Sequence, residues 1–103
     1  VRDYVHEHFA KHKAGKTGHG CSVVPSIICT DGTKLSVQAS RVHYCSPRAD
    51  EGPWTSVEVF CTVGRKGGRV AIPSFGSGGT EDPYGWVPVD KVNAYIHKHG
   101  GLT

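Results

Sequence analysis

The sequence has no C-x-x-C pair, no internal repeat, no low-complexity tract and no apolar run long enough to cross a membrane. The first absence excludes a zinc ribbon and a thioredoxin-like redox motif; the last excludes a membrane span. Charge of one sign is scarce too. Twelve Lys and Arg face nine Asp and Glu, for a net charge of +3. That rules out an acidic nucleic-acid mimic and is too mild to establish a nucleic-acid binder. Paired carboxylates, a serine elbow and a catalytic triad are equally missing. Asp50, Glu51, Glu81 and Asp82 lie in loops beside proline or glycine, which suits turns better than acid–base work.

What is present is a turn-rich chain of 103 residues, with 14 glycines, 6 prolines, 37% apolar and 20% charged residues. This length supports one domain, residues 1–103, and composition excludes a disordered tail. The four cysteines are Cys21, Cys29, Cys45 and Cys61. An even count permits two disulfides in three connectivities. Against that, Cys29 and Cys61 sit inside apolar alternating runs, where a free thiol behaves as a small hydrophobe. No hydrophobic targeting segment is seen, although the chain starts at Val1 without Met. Reduced thiols in the cytoplasm are the expectation.

Hydrophobic spacing lays out the elements. Residues 3 to about 13 read as a short helix, with Val1, Val5, Phe9 and His12 on one stripe, Asp3 as N-cap, and Gly15 and Gly18 as stops. Residues 22–29 (SVVPSIIC) form a β-rich run in which Pro25 marks an edge, a bulge or a start. Asp31-Gly32 predicts a hairpin with positive φ at both central positions, leading into Leu35, Val37 and Ala39 on one strand face. Residues 55–63 alternate, with Val57, Val59, Cys61 and Val63 facing one way. Residues 69–73 (RVAIP) are expected to return as their partner across the 64–68 tip, followed by a glycine-rich loop at 74–83. Trp86 in YGWVP reads as a core or seam residue. Asp90 is expected to cap a C-terminal helix carrying Val92, Tyr95, Ile96 and His99, with Val89 stapled onto Ala94 and Gly100 as its stop. The fold class is therefore α+β, a single antiparallel sheet of four to five strands flanked by an N-terminal and a C-terminal helix.

Four strings bear on chemistry. Ala10 followed by Gly15-Lys16-Thr17 satisfies a loose nucleotide-loop pattern, but that loop needs a strand before it and a helix after it, and here it follows a helix. It reads as a solvated basic helix end. His8 and His12 share a helical face at metal-ligand spacing, without the glutamate or cysteine complement of a zinc site; no metal and no cofactor is expected. In His43-Tyr44-Cys45-Ser46-Pro47-Arg48, His43 and Arg48 could lower the thiol pKa, yet Glu51 stands where a phosphatase loop requires arginine. The simpler reading is a corner in which Tyr44 and Cys45 pack and Arg48 pairs with Asp50 or Glu51. Finally, Arg65, Lys66 and Arg69 place three cations on a glycine-rich tip, either a solvated turn or a phosphate grip.

The strings LSVQAS at 35–40, HYCSPR at 43–48, GPWTSVEV at 52–59 and YGWVP at 84–88, with Val92, Ile96 and His99-Gly-Gly, resemble a family of small phage and prophage proteins. The resemblance covers residues 30–102 and leaves the first helix outside. That family brings no established activity. Cys61 and the 65–69 tip depart from it, in a stretch that corresponds to variable loops. The resemblance implies a phage origin, and with it a bacterial host cytoplasm. By analogy with small phage domains that lack catalytic motifs, the function expected is that of a non-enzymatic accessory protein that inhibits or redirects a host protein, such as an anti-CRISPR-like defence inhibitor. The alternative is a nucleotide- or nucleic-acid-binding module. For either partner, the contact residues expected are Arg41, His43, Tyr44, Arg48, Trp54, Arg65, Lys66 and Arg69, the aromatics serving as stacking faces. A cysteine- or histidine-based hydrolase built on Cys45 and His43 is the least favoured reading.

Overall fold

The computed structural model describes residues 2–11, 15–16, 22–40, 43–49, 52–64, 66–76 and 84–102. In chain order these form α1 (Tyr4–Lys11), β1 (Gly15–Lys16), β2 (Ser22–Val23), β3 (Ile27–Ile28), β4 (Lys34–Gln38), β5 (Ser56–Val63), a single 3₁₀ turn (Pro73–Phe75), β6 (Tyr84–Pro88) and α2 (Val89–Lys98). The sheet is antiparallel in the order β3-β4-β5-β6, and β1 pairs with β2 as a separate ribbon. This is the α+β class, with helices near both termini.

One sheet face carries the core. Ile27, Leu35, Val37, Val57, Val59 and Val87 are wholly buried against Val5 of α1 and Val92 and Ile96 of α2. Each such side chain contributes about 1.5–3 kcal/mol on leaving water. Asp3 does cap α1, since its Oδ1 accepts the His6 N–H at 3.1 Å. A second cap comes from α2: Asn93 Oδ1 accepts the Val5 N–H while its Nδ2 donates to Asp3. Buried Asn93 therefore joins the two helices by satisfying an N-terminal amide that has no partner inside its own helix.

Several expectations require correction. The β3–β4 hairpin forms, but positive φ occurs at Gly32 alone. The Gly32 N–H bonds Cys29 O, and Cys29 N–H bonds Thr33 O, giving a three-residue loop with a glycine bulge in place of the two-residue turn. The run 22–29 is broken around Pro25, whose carbonyl accepts from His8. Gly15 and Lys16 form a strand with Val23 and Ser22, not a bare helix end. Residues 69–73 do not become a strand partner of β5. Only Val63 and Arg69 bridge, after which the chain enters the 3₁₀ turn, and β6 takes the place beside β5.

The expected β5 alternation also fails past Val59. Lys34 pairs with Val63 but Ser36 pairs with Phe60, so β5 carries one extra residue opposite Leu35. This bulge turns Thr62 inward, where it is buried and its hydroxyl donates to Val70 O. The side chain of Cys61 lies outside the described residues, as do Cys21, His12 and Thr17. Cys29 and Cys45 are free, buried thiols.

Helix α2 begins two residues earlier than expected. Pro88 is its N-cap, Asp90 is exposed in its first turn, and Val89 enters the core while Ala94 is exposed, so no staple forms. Its C-terminus does use the glycines. Gly100 (φ 96°) donates to His97 O and Gly101 (φ 83°) donates to Ile96 O, a Schellman closure. The next residues tie the helix to the hairpin, with Thr30 donating to Gly101 O and Cys29 bridging Leu102. A Cβ on Gly100 would also collide with Thr30 Oγ1, whereas one on Gly67 (φ 90°) would meet nothing. Gly100→Ala should therefore lower stability by about 2 kcal/mol and Gly67→Ala by about 1 kcal/mol, measured by urea unfolding.

Candidate functional site

Away from the helices, the outer sheet face presents Gln38 opposite Glu58 on adjacent strands. Gln38 is buried because its amide bonds both the N–H and the carbonyl of Val24, at 2.8 and 2.9 Å, and fastens that segment over the face. Glu58 is covered differently. Ser46 bridges Ser56 on the β4 side of β5, and the Tyr44 carbonyl accepts the Trp86 N–H from β6 on the other side. The chain at 44–46 consequently arches across β5 and shields Glu58.

His43 descends from this arch. Its Nδ1 lies 2.6 Å from Ser40 Oγ and its Nε2 lies 3.9 Å from Glu58 Oε2. Burial pushes both groups toward neutrality, the imidazole pKa down and the carboxyl pKa up. Ser40, His43 and Glu58 have the residue types of a hydrolytic triad, but the hydroxyl of Ser40 is not open to attack any substrate, the residue being 1% exposed. Cys45 is no better placed. It is 0% exposed, its thiol donates to the Ser40 and Pro47 carbonyls, and burial raises its pKa despite the nearby Arg48 charge. A thiol held in that way is a structural hydrogen-bond donor.

What the arch does expose is aromatic. Tyr44 is 46% exposed and Trp86 53% exposed, with ring centroids 5.1 Å apart. The expectation of Trp86 as a core or seam residue is thus wrong. Val57 pairs with Val87 but Val59 pairs with Tyr84, so Gly85 and Trp86 together oppose Glu58. In this bulge Trp86 adopts φ 49°, the one positive value at a non-glycine residue among those described. A bulky side chain held there costs about 1–2 kcal/mol. Gly85 is needed for the approach of the arch, since a Cβ on it would sit 3.2 Å from Tyr44 Cβ.

The other expected contact residues do not join this patch. Trp54 is half-buried, stacked at 13° on His6 and edge-on to Phe9, with its indole N–H donated to Ala49 O; that ring is already packed. Arg48 is exposed near Cys45, its expected partners Asp50 and Glu51 lying outside the described residues along with Arg41 and Arg65. Lys66 and Arg69 instead line a groove of about 810 Å³ together with Asp31, Val70, Ile72, Tyr95, Lys98 and His99. That groove belongs to the α2 side of the sheet and to the far end of β5, some ~16 Å along the strand from Glu58. Sequence reasoning missed Ser40, Glu58, Tyr95, Lys98 and His99. A glycine beside Trp86 inside a strand was the available signal for the bulge.

Comparison with known proteins returns no match: no family model, no curated protein and no solved structure is similar to this chain. Among the described residues no helix is long and apolar enough to cross a membrane, and no group of His, Cys, Asp and Glu is arranged to hold a metal.

Two measurements check this description. Peptide-resolved alkylation at pH 8 should label Cys45 far more slowly in the native chain than in urea. Titration supplies the second. A His43 whose folded pKa is depressed lets the unfolded chain take up the proton first, so stability falls as pH drops below about 6.5. Raised Glu58 acts with the opposite sign, its share growing as pH falls through its elevated folded pKa. Thermal melts at pH 7.5 and 5.5 should therefore differ less in His43→Gln than in the native chain.

Proposed function

We propose that this protein is a non-enzymatic binding domain that engages a partner protein through Tyr44 and Trp86. The observation that carries the reading is Trp86 itself, held half in water at an unfavourable φ by a bulge. Backbone strain that leaves half of a large ring in water is strain kept for a further contact. Paired aromatic rings are the common anchors of protein interfaces, giving a large contact area for little side-chain entropy.

Local charge favours protein over nucleic acid at this face. Among the described residues of this face, Arg48 and the His43–Glu58 pair stand near Cys45, and no cluster of cations is there to neutralise a phosphate backbone. The cations Lys66 and Arg69 are at the other end of β5. On the resemblance to small phage proteins, the partner is a bacterial host protein whose action this surface blocks or redirects. Covered Ser40 and Cys45 support a binding role over hydrolysis.

The test is Trp86→Gly. Loss of the contact with Tyr44 and relief of the left-handed backbone nearly cancel, so stability should change by less than about 1 kcal/mol. A host protein recovered from nuclease-treated lysate, and rebound in purified form by the native chain, should be lost from Trp86→Gly. A large fall in melting temperature with binding intact would instead make Trp86 a structural residue.

A further inference from the structure

The groove on the α2 side has a composition that the partner surface does not use. Its rim carries Lys66 and Arg69 from the β5 tip and Lys98 from the last turn of α2. Its inner wall is apolar and aromatic, from Val70, Ile72 and Tyr95, and the His99 ring lies 4.5 Å from that of Tyr95. Among the described residues that line it, the one carboxylate is Asp31. That carboxylate is already engaged: it accepts the Thr33 N–H at 2.9 Å and lies 2.7 Å from His99 Nδ1. These bonds fix Asp31 at the hairpin and orient His99 beside Tyr95.

A volume of about 810 Å³ is in the range of small-molecule sites, roughly 300–1,000 Å³. An apolar aromatic wall beneath a cationic rim matches a ligand with a flat body and a phosphate. The body lies against Tyr95 and His99, and the anion meets Lys98, Lys66 and Arg69. We propose that this groove is a binding site for a nucleoside monophosphate. It is distinct from the Tyr44–Trp86 surface, and neither depends on the other.

The site is built by tertiary contacts. The Val63–Arg69 bridge and the Gly64–Gly68 hydrogen bond fold the tip back on β5. The Ile72 N–H donated to Tyr84 OH at 2.7 Å anchors the following segment to β6. The Schellman closure and the Asp31–His99 contact bring the end of α2 to the hairpin. Lys66, Arg69 and Lys98 are all exposed, so replacing any of them spares the core.

The experiment is calorimetric titration of the full chain with adenosine monophosphate, adenosine, inorganic phosphate and a ten-residue oligothymidylate, at 50 and 200 mM NaCl. Adenosine monophosphate should bind more tightly than adenosine or phosphate, and more weakly at the higher salt. Lys98→Gln and Arg69→Gln should each weaken it about tenfold, the scale of one lost charge-assisted hydrogen bond. Lys11→Gln, on the exposed end of α1, should leave binding unchanged. The proposal is overturned if adenosine monophosphate fails to bind at millimolar concentration, if both groove variants bind as the native chain does, or if phosphate alone binds equally well. Tighter binding of the oligothymidylate would overturn it as well, in favour of a single-stranded nucleic acid. Melting temperatures of the two variants, unchanged from the native chain, establish that any loss is a loss of contact and not of fold.

Discussion

The pairing of β5 with β4 on one side and β6 on the other is the constraint on which the rest of the structure depends. It buries Val57 and Val59 against the helices and at the same time fixes Glu58 on the opposite face. Neither adjacent ladder is regular. One extra residue in β5 and one in β6 shift the registers on its two sides, and both candidate sites lie where those shifts occur. The β6 shift turns Trp86 outward. The β5 shift brings Thr62 inward, where it holds Val70 at the start of the groove wall. A strand with regular ladders on both sides would have satisfied the backbone and produced neither feature.

Electrostatics divides the molecule along the same strand. Burial under the arch pushes the His43 pKa down and the Glu58 pKa up, so both groups are shifted toward their neutral forms. At the far end, Asp31 is held down to a pKa of about 2, chiefly by the Thr33 amide, with His99 adding to it. Asp31 is thereby held within the hairpin and against the end of α2, while Lys66, Arg69 and Lys98 line the groove. The Tyr44–Trp86 patch offers exposed aromatic area, whereas the groove sets three cations around an aromatic wall. That difference is why two ligands of different chemistry are assigned to two faces.

Much of the fold was legible because local physics agrees with it. Asp3 as a cap, the Asp31-Gly32 turn, the Leu35–Val37 alternation and the Gly100 stop are each set by neighbours within a few residues. The errors share one cause. The expected partner of β5, the orientation of Trp86, the cap of α2 and the face of Thr62 all depend on which distant segment occupies the adjacent position. Residues 69–73 have strand composition, but Pro73 and the reach of Tyr84 OH to Ile72 take them into a 3₁₀ turn. The expected contact set mixed residues that share a chemistry but not a location, because Tyr44, Trp54 and Lys66 belong to three separate surroundings.

Taken alone, the order of amino acids determined the class of fold, the two terminal helices, the hairpin and the presence of unusual aromatic and cationic strings. These follow from side-chain periodicity and from turn chemistry, which act over a few bonds. Tertiary structure decided that His43 meets Glu58, that Trp86 faces water and that Lys98 joins Lys66 and Arg69. Those meetings bring together residues up to 32 positions apart along the chain, between Lys66 and Lys98. They are set by strand register and by where two bulges fall, and register is a property of the paired backbone, not of either segment by itself.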